Sequence, residues 1–422
     1  MISPKSIRVV SLIIISIVGW LVVFYQFPLI PQHLNIDEVE FAQLALSLDG
    51  KAYAPYSPLA TGHTTLYYYV ILLCFKLFGI TAFGLRLPAA LSGVINGILI
   101  YMIMYFLFVK KEDKKPSMFS LFLPLATALT FVTMRWQFQF ARFSFEVTFL
   151  MMFELLSLLF IILHQRTKSW KWLLAAGIAA GLAFNSYLPG RVFVAIPGLY
   201  VLWYIWSQQK HWKERFQTIL SFFIPFLIVI TPLLMYFMQA RDVRVYQLSY
   251  VNNEMLSLNE KISFFTENVR KTAGIFHIQG DLNGKQNYPG KPALNPIMGI
   301  LFVIGMLYSI RKIKVFPHFI FLAYFVLSLI PTILTYPWEN PHMLRTYTSI
   351  PAIVFWIGTA FWLIYNKFKR QYLIMAFITA LLIISVVYDL RTYFIYQVPI
   401  FDAAFEMRGP LHELVVKIKL KH

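Results

Sequence analysis

The sequence predicts an all-α polytopic membrane protein, and three observations carry that prediction. Of the 422 residues, 59% are hydrophobic and only 13% charged, with a mean hydropathy of +0.64, whereas about a quarter of the residues in soluble domains are charged. Apolar runs of membrane-crossing length recur from one end of the chain to the other. Basic residues gather in short clusters between those runs. A soluble enzyme and a nucleic-acid-binding protein are excluded, so the net charge of +18 needs a membrane explanation first. The single cysteine, Cys74, leaves no intrachain disulfide to form.

In chain order, spans are expected at 8–29, 84–109, 118–140, 144–163, 172–189, 192–207, 217–239, 295–310, 315–335, 346–365 and 371–389, about 11 in all. The first follows a short basic segment and precedes no small-residue cleavage signal, so it reads as a retained signal anchor. A further stretch, 64–80 (TTLYYYVILLCFKLFGI), is short for a span and carries Lys76. Charge arbitrates. The basic clusters lie at Lys5/Arg8, 110–115, 164–171, 208–215, 311–314 and 366–370. If 64–80 does not cross, all of them share one face; if it crosses, the first lies opposite the rest. Short cytoplasmic loops concentrate Lys and Arg. The stretch 64–80 is therefore expected as a juxtamembrane or re-entrant helix on the outer face of an inner (plasma) membrane, with the N-terminus in the cytoplasm.

The outer face then holds loop 30–83, turns near 141–146 and 187–191, loop 240–294, segment 336–347 and a tail from 390. The expected organisation is a membrane module over 1–239 that includes loop 30–83, a long external loop over 240–294, C-terminal membrane helices over 295–389 and a short external tail over 390–422. Two loops of over 50 residues are long enough to be functional.

Loop 30–83 opens with NIDEVEFAQLALSLDG, residues 35–50. Asn35 followed by Glu38 forms a capping-box pattern, with Asp37 and Glu38 in a favourable first turn. Phe41, Leu44, Ala45 and Leu48 follow at helical spacing, which fits an amphipathic helix on the membrane surface; Glu40 is expected in solvent. A capped helix is also a rigid place to hold a catalytic carboxylate. The same face carries Glu146 and four arginines at span ends, Arg86, Arg142, Arg191 and Arg345. Singly, each arginine fits snorkelling at the interface. Together, facing two sets of carboxylates, they suit a lipid-linked phosphate, because the guanidinium fork matches phosphate oxygens and stays charged. A carboxylate can accept the proton of an attacking hydroxyl. His63, His342, Tyr53, Tyr56, Tyr187 and Tyr336 share this face. Glu154 lies deeper in the span that Glu146 opens, where an acid is a functional candidate or a hydrogen-bonding partner for a neighbouring Ser or Tyr.

These residues resemble the GT-C glycosyltransferases of the family-39 type, which include the protein O-mannosyltransferases and the aminoarabinose transferases that modify lipid A. The resemblance rests on Asp37-Glu38 after the first helix, then Tyr53, Gly62-His63-Thr64-Thr65-Leu66, Leu77-Phe78-Gly79 and Phe83-Gly84-Leu85-Arg86-Leu87-Pro88. It continues through Ala141-Arg142 with Glu146, Gly181-Leu182-Ala183 with Tyr187, Pro189 and Arg191, Gly280-Asp281 through Asn287-Tyr288-Pro289-Gly290, and Pro341-His342 with Arg345 and Pro351, covering roughly residues 8–360. Thr64-Thr65 stand where the family has Pro-Pro, Lys285-Gln286 where Arg-His is more familiar, and Glu146 where Asp is usual.

The resemblance implies transfer of a single sugar from a polyprenyl-phosphate-linked donor to an acceptor hydroxyl on the outer face, with inversion. It implies a catalytic set of Asp37 as general base, Glu38 orienting Asp37 or binding the acceptor, and Glu146 contacting the sugar or acceptor, with His63, Tyr53, Arg86, Arg142, Tyr187, Arg191, Asn287, His342 and Arg345 as substrate-binding residues. The acceptor is left open among lipid, glycan and protein. A divalent cation held by Asp37, Glu38 and Glu146 is left open too, with no cofactor assigned. Two other readings make different demands. A lipid-linked sugar transporter or flippase would place polar groups and broken helices at midplane. An O-antigen ligase or polymerase would carry an Arg- and His-rich outer loop without an Asp-Glu pair directly after the first helix.

Overall fold

The computed structural model describes residues 4–109, 116–207, 211–240 and 242–417. The basic run at 110–115 and the first residues of the 208–215 cluster lie outside the described residues. The long helices are α1 (Pro4–Phe24), α4 (Ala82–Phe108), α5 (Met118–Thr133), α7 (Glu146–Thr167), α8 (Lys171–Phe184), α10 (Ala195–Ser207), α11 (Trp212–Gln239), α14 (Pro296–Arg311), α15 (Phe316–Ile333), α16 (Ile350–Phe368) and α17 (Gln371–Arg391). Every expected span thus falls on a helix. Among the described residues, 8 helical segments are long and apolar enough to cross a membrane. α5, α8 and α14 are shorter, at 16, 14 and 16 residues. The span expected over 118–140 is broken: the backbone is extended at Met134 before a short α6 (Arg135–Phe140). The break turns Arg135 towards Asn287 Oδ1 (2.6 Å) and the Pro292 carbonyl (3.1 Å).

The smaller elements cluster at one end of the bundle. They are α2 (Ile36–Ser47), a hairpin of β1 (Tyr56–Ser57) and β2 (His63–Thr64), α3 (Leu66–Phe78), α9 (Pro189–Phe193), α12 (Val243–Leu248) and α13 (Leu258–Gly274). Tyr56 pairs with Thr64 and Ser57 with His63 in the antiparallel hairpin. Beyond α17 the chain stays helical through Thr392–Gln397 into α18 (Val398–Ala404), then turns back to α19 (Leu411–Lys417). This C-terminal segment packs on α2: Leu34 pairs with Met407, and Gln43 Nε2 donates to the Val415 carbonyl at 2.7 Å.

Close helix packing follows small residues. A Cβ at Gly177 would lie 2.3 Å from the Phe222 carbonyl oxygen, and one at Gly181 would lie 2.7 Å from Val229 Cβ. These glycines, one turn apart on α8, let it press against α11, as small residues do at membrane helix contacts.

Hydrogen bonds between helix ends test the parity argument. Arg86, in the first turn of α4, donates to the Pro28, Pro31 and His33 carbonyls just past the end of α1. Arg142, just before α7, donates to the carbonyls of Val22, Val23, Tyr25 and Ile30. The C-terminus of α1 and the N-termini of α4 and α7 therefore meet at one end. At the other end, Arg8 sits 5.6 Å from the Tyr105 ring centre, and Arg166 donates to the Val109 carbonyl at 2.6 Å. Between α1 and α4 the chain makes no net crossing, as the charge clusters required.

The capping box on α2 is formed: the Asn35 side chain accepts from Glu38 N (3.0 Å), and Glu38 reaches back to Asn35 N (3.3 Å). Two expectations for α2 are corrected. Phe41, Leu44, Ala45 and Leu48 are buried in protein, not laid on a membrane surface, because α3 and α19 cover them; Glu40 is buried as well. Glu38 and Arg86 form a fully buried ion pair, Nε to Oε1 at 2.8 Å and Nη2 to Oε2 at 3.0 Å. Ser144 N also donates to Glu38 Oε1 at 2.9 Å. Removing one partner of such a pair leaves an uncompensated buried charge. Arg86→Met or Glu38→Gln alone should each cost about 3–5 kcal/mol. Thermal unfolding in detergent should show each single variant destabilised and the double variant destabilised by less than their sum.

Candidate active site

Asp37 lies in the first turn of α2, with its side chain 45% exposed and Lys285 Nζ 3.7 Å from Oδ2. One turn further along the same helix face, Phe41 packs edge-on against His63, Tyr68 and Phe145, at centroid distances of 5.2, 5.4 and 5.3 Å. Through Phe41, the Asp37 helix rests on a buried polar cluster.

Glu146 opens α7, where a carboxylate complements the helix dipole. Its Oε1 meets His63 Nδ1 at 2.5 Å and accepts from Tyr68 Oη at 2.6 Å. Its Oε2 is buried and has no hydrogen-bond partner. Tyr68 Oη also lies 2.8 Å from His63 Nδ1. Arg244 lies against the imidazole, Nη1 being 2.6 Å from Nε2 and 2.8 Å from Nδ1, and its guanidinium sits 5.3 Å from the Tyr187 ring centre. Burial, then the Arg244 charge, hold His63 below its ordinary pKa against the opposing pull of Glu146. Burial pushes the Tyr187 hydroxyl up.

Asp242 fixes Arg244 in place. It caps α12 by accepting from Arg244 N (3.1 Å) and Val245 N (3.3 Å), accepts from Tyr56 Oη (3.1 Å), and pairs with Arg191. The start of the long loop is thereby tied to the β1–β2 hairpin and to α9. Beside this knot lies a cavity of about 180 Å³. Leu188, Pro189, Val192, Val245, Leu248, Ile330, Pro331 and Leu334 make its apolar wall, and Arg191, Arg244 and Arg345 are its cations. Arg345 pairs with Glu339 at 3.0 Å. Arg191 Nε and Arg345 Nη1 are buried without acceptors.

The expected site residues therefore divide. His63, Glu146, Tyr187, Arg191 and Arg345 gather around the cluster and the cavity, and Asp37 is linked to them through Phe41, one turn along α2. His342 is adjacent: the Arg345 backbone N–H lies 3.4 Å from its Nδ1, and burial with the Arg345 and Arg244 charges holds its pKa well below the ordinary value. Others are committed elsewhere. Arg86 spends all five N–H groups on Glu38 and three carbonyls, leaving none for a phosphate. Arg142 holds the end of α1, a favourable place for a cation. Glu38 has both oxygens occupied. Asn287 is buried, accepting from Arg135 and donating to the Asp281 and Lys291 carbonyls at 2.8 Å, which shapes its own loop. Tyr53 is exposed and stacks on Tyr69. Glu154 accepts from Tyr324 Oη at 2.5 Å inside the bundle, the bonding role left open for it.

Arg244, Tyr68 and Asp242 were not anticipated. The available signals were the Asp-Val-Arg sequence at 242–244, an acid cap followed by a base in the outer loop, and the position of Tyr68 in the first turn of α3. The divalent cation left open above does not fit these residues. Glu38 is turned into its arginine pair, and among the described residues no group of three or more His, Cys, Asp or Glu is placed to hold a metal ion.

Comparison with known proteins supplies the class. Residues 62–236 match the family described as Dolichyl-phosphate-mannose-protein mannosyltransferase. That segment holds His63, Glu146, Tyr187 and Arg191; Asp37, Arg244 and Arg345 fall outside it. No curated protein matches the chain in sequence. Among solved structures, ArnT from Cupriavidus metallidurans bound to undecaprenyl phosphate superposes with a TM-score of 0.54 at 16% identity, covering 97% of this chain and 77% of that one. Its apo state gives 0.54 at 16% identity, over 98% and 78%. The archaeal oligosaccharyltransferase AglB from Archaeoglobus fulgidus gives 0.49 at 14% identity, over 96% and 56%. The two comparisons agree in kind: residues 62–236 carry the sequence pattern of that mannosyltransferase family, and nearly the whole chain has a polytopic helical fold like that of ArnT.

Proposed function

We propose that this enzyme transfers a single sugar from a polyprenyl-phosphate-linked donor to an acceptor hydroxyl, on the face of an inner membrane opposite the cytoplasm. The observation that carries the reading is the apolar cavity with three arginines, two of which leave buried N–H groups unpaired. An isoprenoid tail suits the apolar wall, and a phosphate would supply the missing acceptors. The ArnT structure of the same fold is described as bound to undecaprenyl phosphate. The basic clusters support a cytoplasmic N-terminus, with the site end on the opposite side.

In this reading Arg191, Arg244 and Arg345 hold the donor phosphate, where negative charge grows as the sugar leaves. Asp37, the half-exposed carboxylate, takes the proton of the acceptor hydroxyl. The acceptor oxygen attacks the anomeric carbon from the face opposite the phosphate. The carbon–oxygen bond to phosphate breaks, its electron pair departs with polyprenyl phosphate, and the anomeric configuration inverts. Glu146 Oε2 accepts a hydroxyl of the transferring sugar. His63, kept neutral beside Arg244, holds Oε1 and Tyr68 in register. Glu38 and Arg86 act by positioning the helix that carries Asp37. No step passes through a metal ion.

Asp37→Asn keeps the size of the side chain but removes the base, so transfer should fall about 10²–10⁴-fold. Consumption of labelled polyprenyl-phosphate hexoses by membranes, with the detergent elution profile as a folding control, measures it; full activity would overturn the base assignment. Arg191→Ala and Arg345→Ala each remove a charged hydrogen-bond donor to phosphate, about 1.5–3 kcal/mol. Undecaprenyl-phosphate affinity should fall roughly 10- to 150-fold by direct titration. Unchanged affinity in both would sink the donor-cavity reading.

A further inference from the structure

A second cavity, of about 410 Å³, opens between residues 281–283 and 338–342, a size within the range of small-molecule sites. Its chemistry is the reverse of the first. Asp281 is buried and accepts from Asn283 N (2.8 Å) on one oxygen and Met343 N (2.9 Å) on the other; each carboxylate oxygen has a further lone pair to offer. Burial pushes its carboxyl up to about 6. Glu339 adds a second carboxylate, half in water. Trp338 is 69% exposed and stacked on Tyr336 at 4.5 Å, so one indole face is backed by protein and the other is open. Asn283, Asn340 and His342 complete the polar lining.

Two carboxylates repel phosphate and sulfate. Carboxylates, an amide and an imidazole exchange hydrogen bonds with hydroxyls, and an open indole face packs against the apolar side of a pyranose ring. The cavity also sits at the right junction. Arg345 lines the donor cavity and pairs with Glu339 of this one. Asn283 Oδ1 accepts from Lys285 N at 3.0 Å, and Lys285 Nζ lies 3.7 Å from Asp37. The wall of the polar cavity thus continues to the residue beside the base. The lipid-type cavity is apolar, and the polar one is flanked by exposed Trp338 and Glu339, which separates a ligand arriving from the bilayer from one arriving from water.

We infer that this polar cavity is the acceptor subsite, that Trp338 is its specificity-determining residue, and that the acceptor is a neutral glycan presenting a hydroxyl to Asp37. The inference rests on the donor and base assignments proposed above. Saturation-transfer NMR on the purified full-length protein in nanodiscs, with neutral gluco- and manno-tetraoses as probes, tests it. The wild type should transfer saturation to the sugar ring protons, and Trp338→Ala should reduce the signal at least 5-fold, ~1 kcal/mol, while still binding undecaprenyl phosphate. Three results would each overturn it: no transfer to any tetraose in the wild type, equal transfer in Trp338→Ala (the outcome for a tryptophan that only anchors at the interface), or transfer confined to a Ser/Thr octapeptide. Titrating the same samples with undecaprenyl phosphate reads the donor cavity separately, so failure of the two assignments can be told apart.

Discussion

A guanidinium with every N–H group satisfied, inside a protein, is a structural fastener. Arg86 is that fastener here. It joins the first turn of α4, the chain leaving α1 and the carboxylate one residue past Asp37. Burying two charges is costly unless geometry and further hydrogen bonds compensate, and both partners here are fully supplied. Arg142 makes a second clamp at the end of α1, its two Nη groups donating to the Val22, Val23, Tyr25 and Ile30 carbonyls. The position of Asp37 at the mouth of the bundle follows from these two clamps. They act on backbone carbonyls, so they fix the path of the chain rather than one rotamer.

A second knot, around Asp242, does for the cations what Arg86 does for the helix that carries Asp37. One carboxylate caps α12, holds Tyr56 and pairs with Arg191. It thereby delivers Arg244 to His63 and Arg191 to the apolar cavity. Between the two knots sits Phe41, whose ring touches the His63–Tyr68 pair from the helix that carries Asp37. The polar groups that reactants would meet are few; most of the charge at this end of the molecule holds the backbone still. Such rigidity is what a transfer reaction needs to position an acceptor oxygen and an anomeric carbon for attack.

Much of this was legible in the sequence, for identifiable reasons. Helical spans announce themselves by hydropathy, and the charge clusters decided that 64–80 adds no crossing, which the contacts of Arg86 and Arg142 bear out. The capping box was readable because Asn35 and Glu38 act within one turn. The arginines were harder. Arg86, Arg142, Arg191 and Arg345 look alike in one dimension, each a cation at a span end, yet the first two face carbonyls and the last two face a cavity. That distinction depends on what the chain brings from 50 to 120 positions away. Arg244 escaped because it lies on a short helix in a long loop, with no periodic pattern to point at it. The burial of α2 escaped because its cover, α3 together with α19, cannot be told from a membrane surface by hydrophobic spacing alone.

The cover over α2 has a consequence for how the molecule is made. Gln43 and its partner Val415 are separated by 372 positions, so the ribosome finishes α2 long before it finishes the segment that closes over it. Through most of synthesis and insertion, the buried face of α2 waits for a late-arriving partner. Closure over α2 then waits for residues 405–417, and a chain stalled before them would leave that face of α2 uncovered.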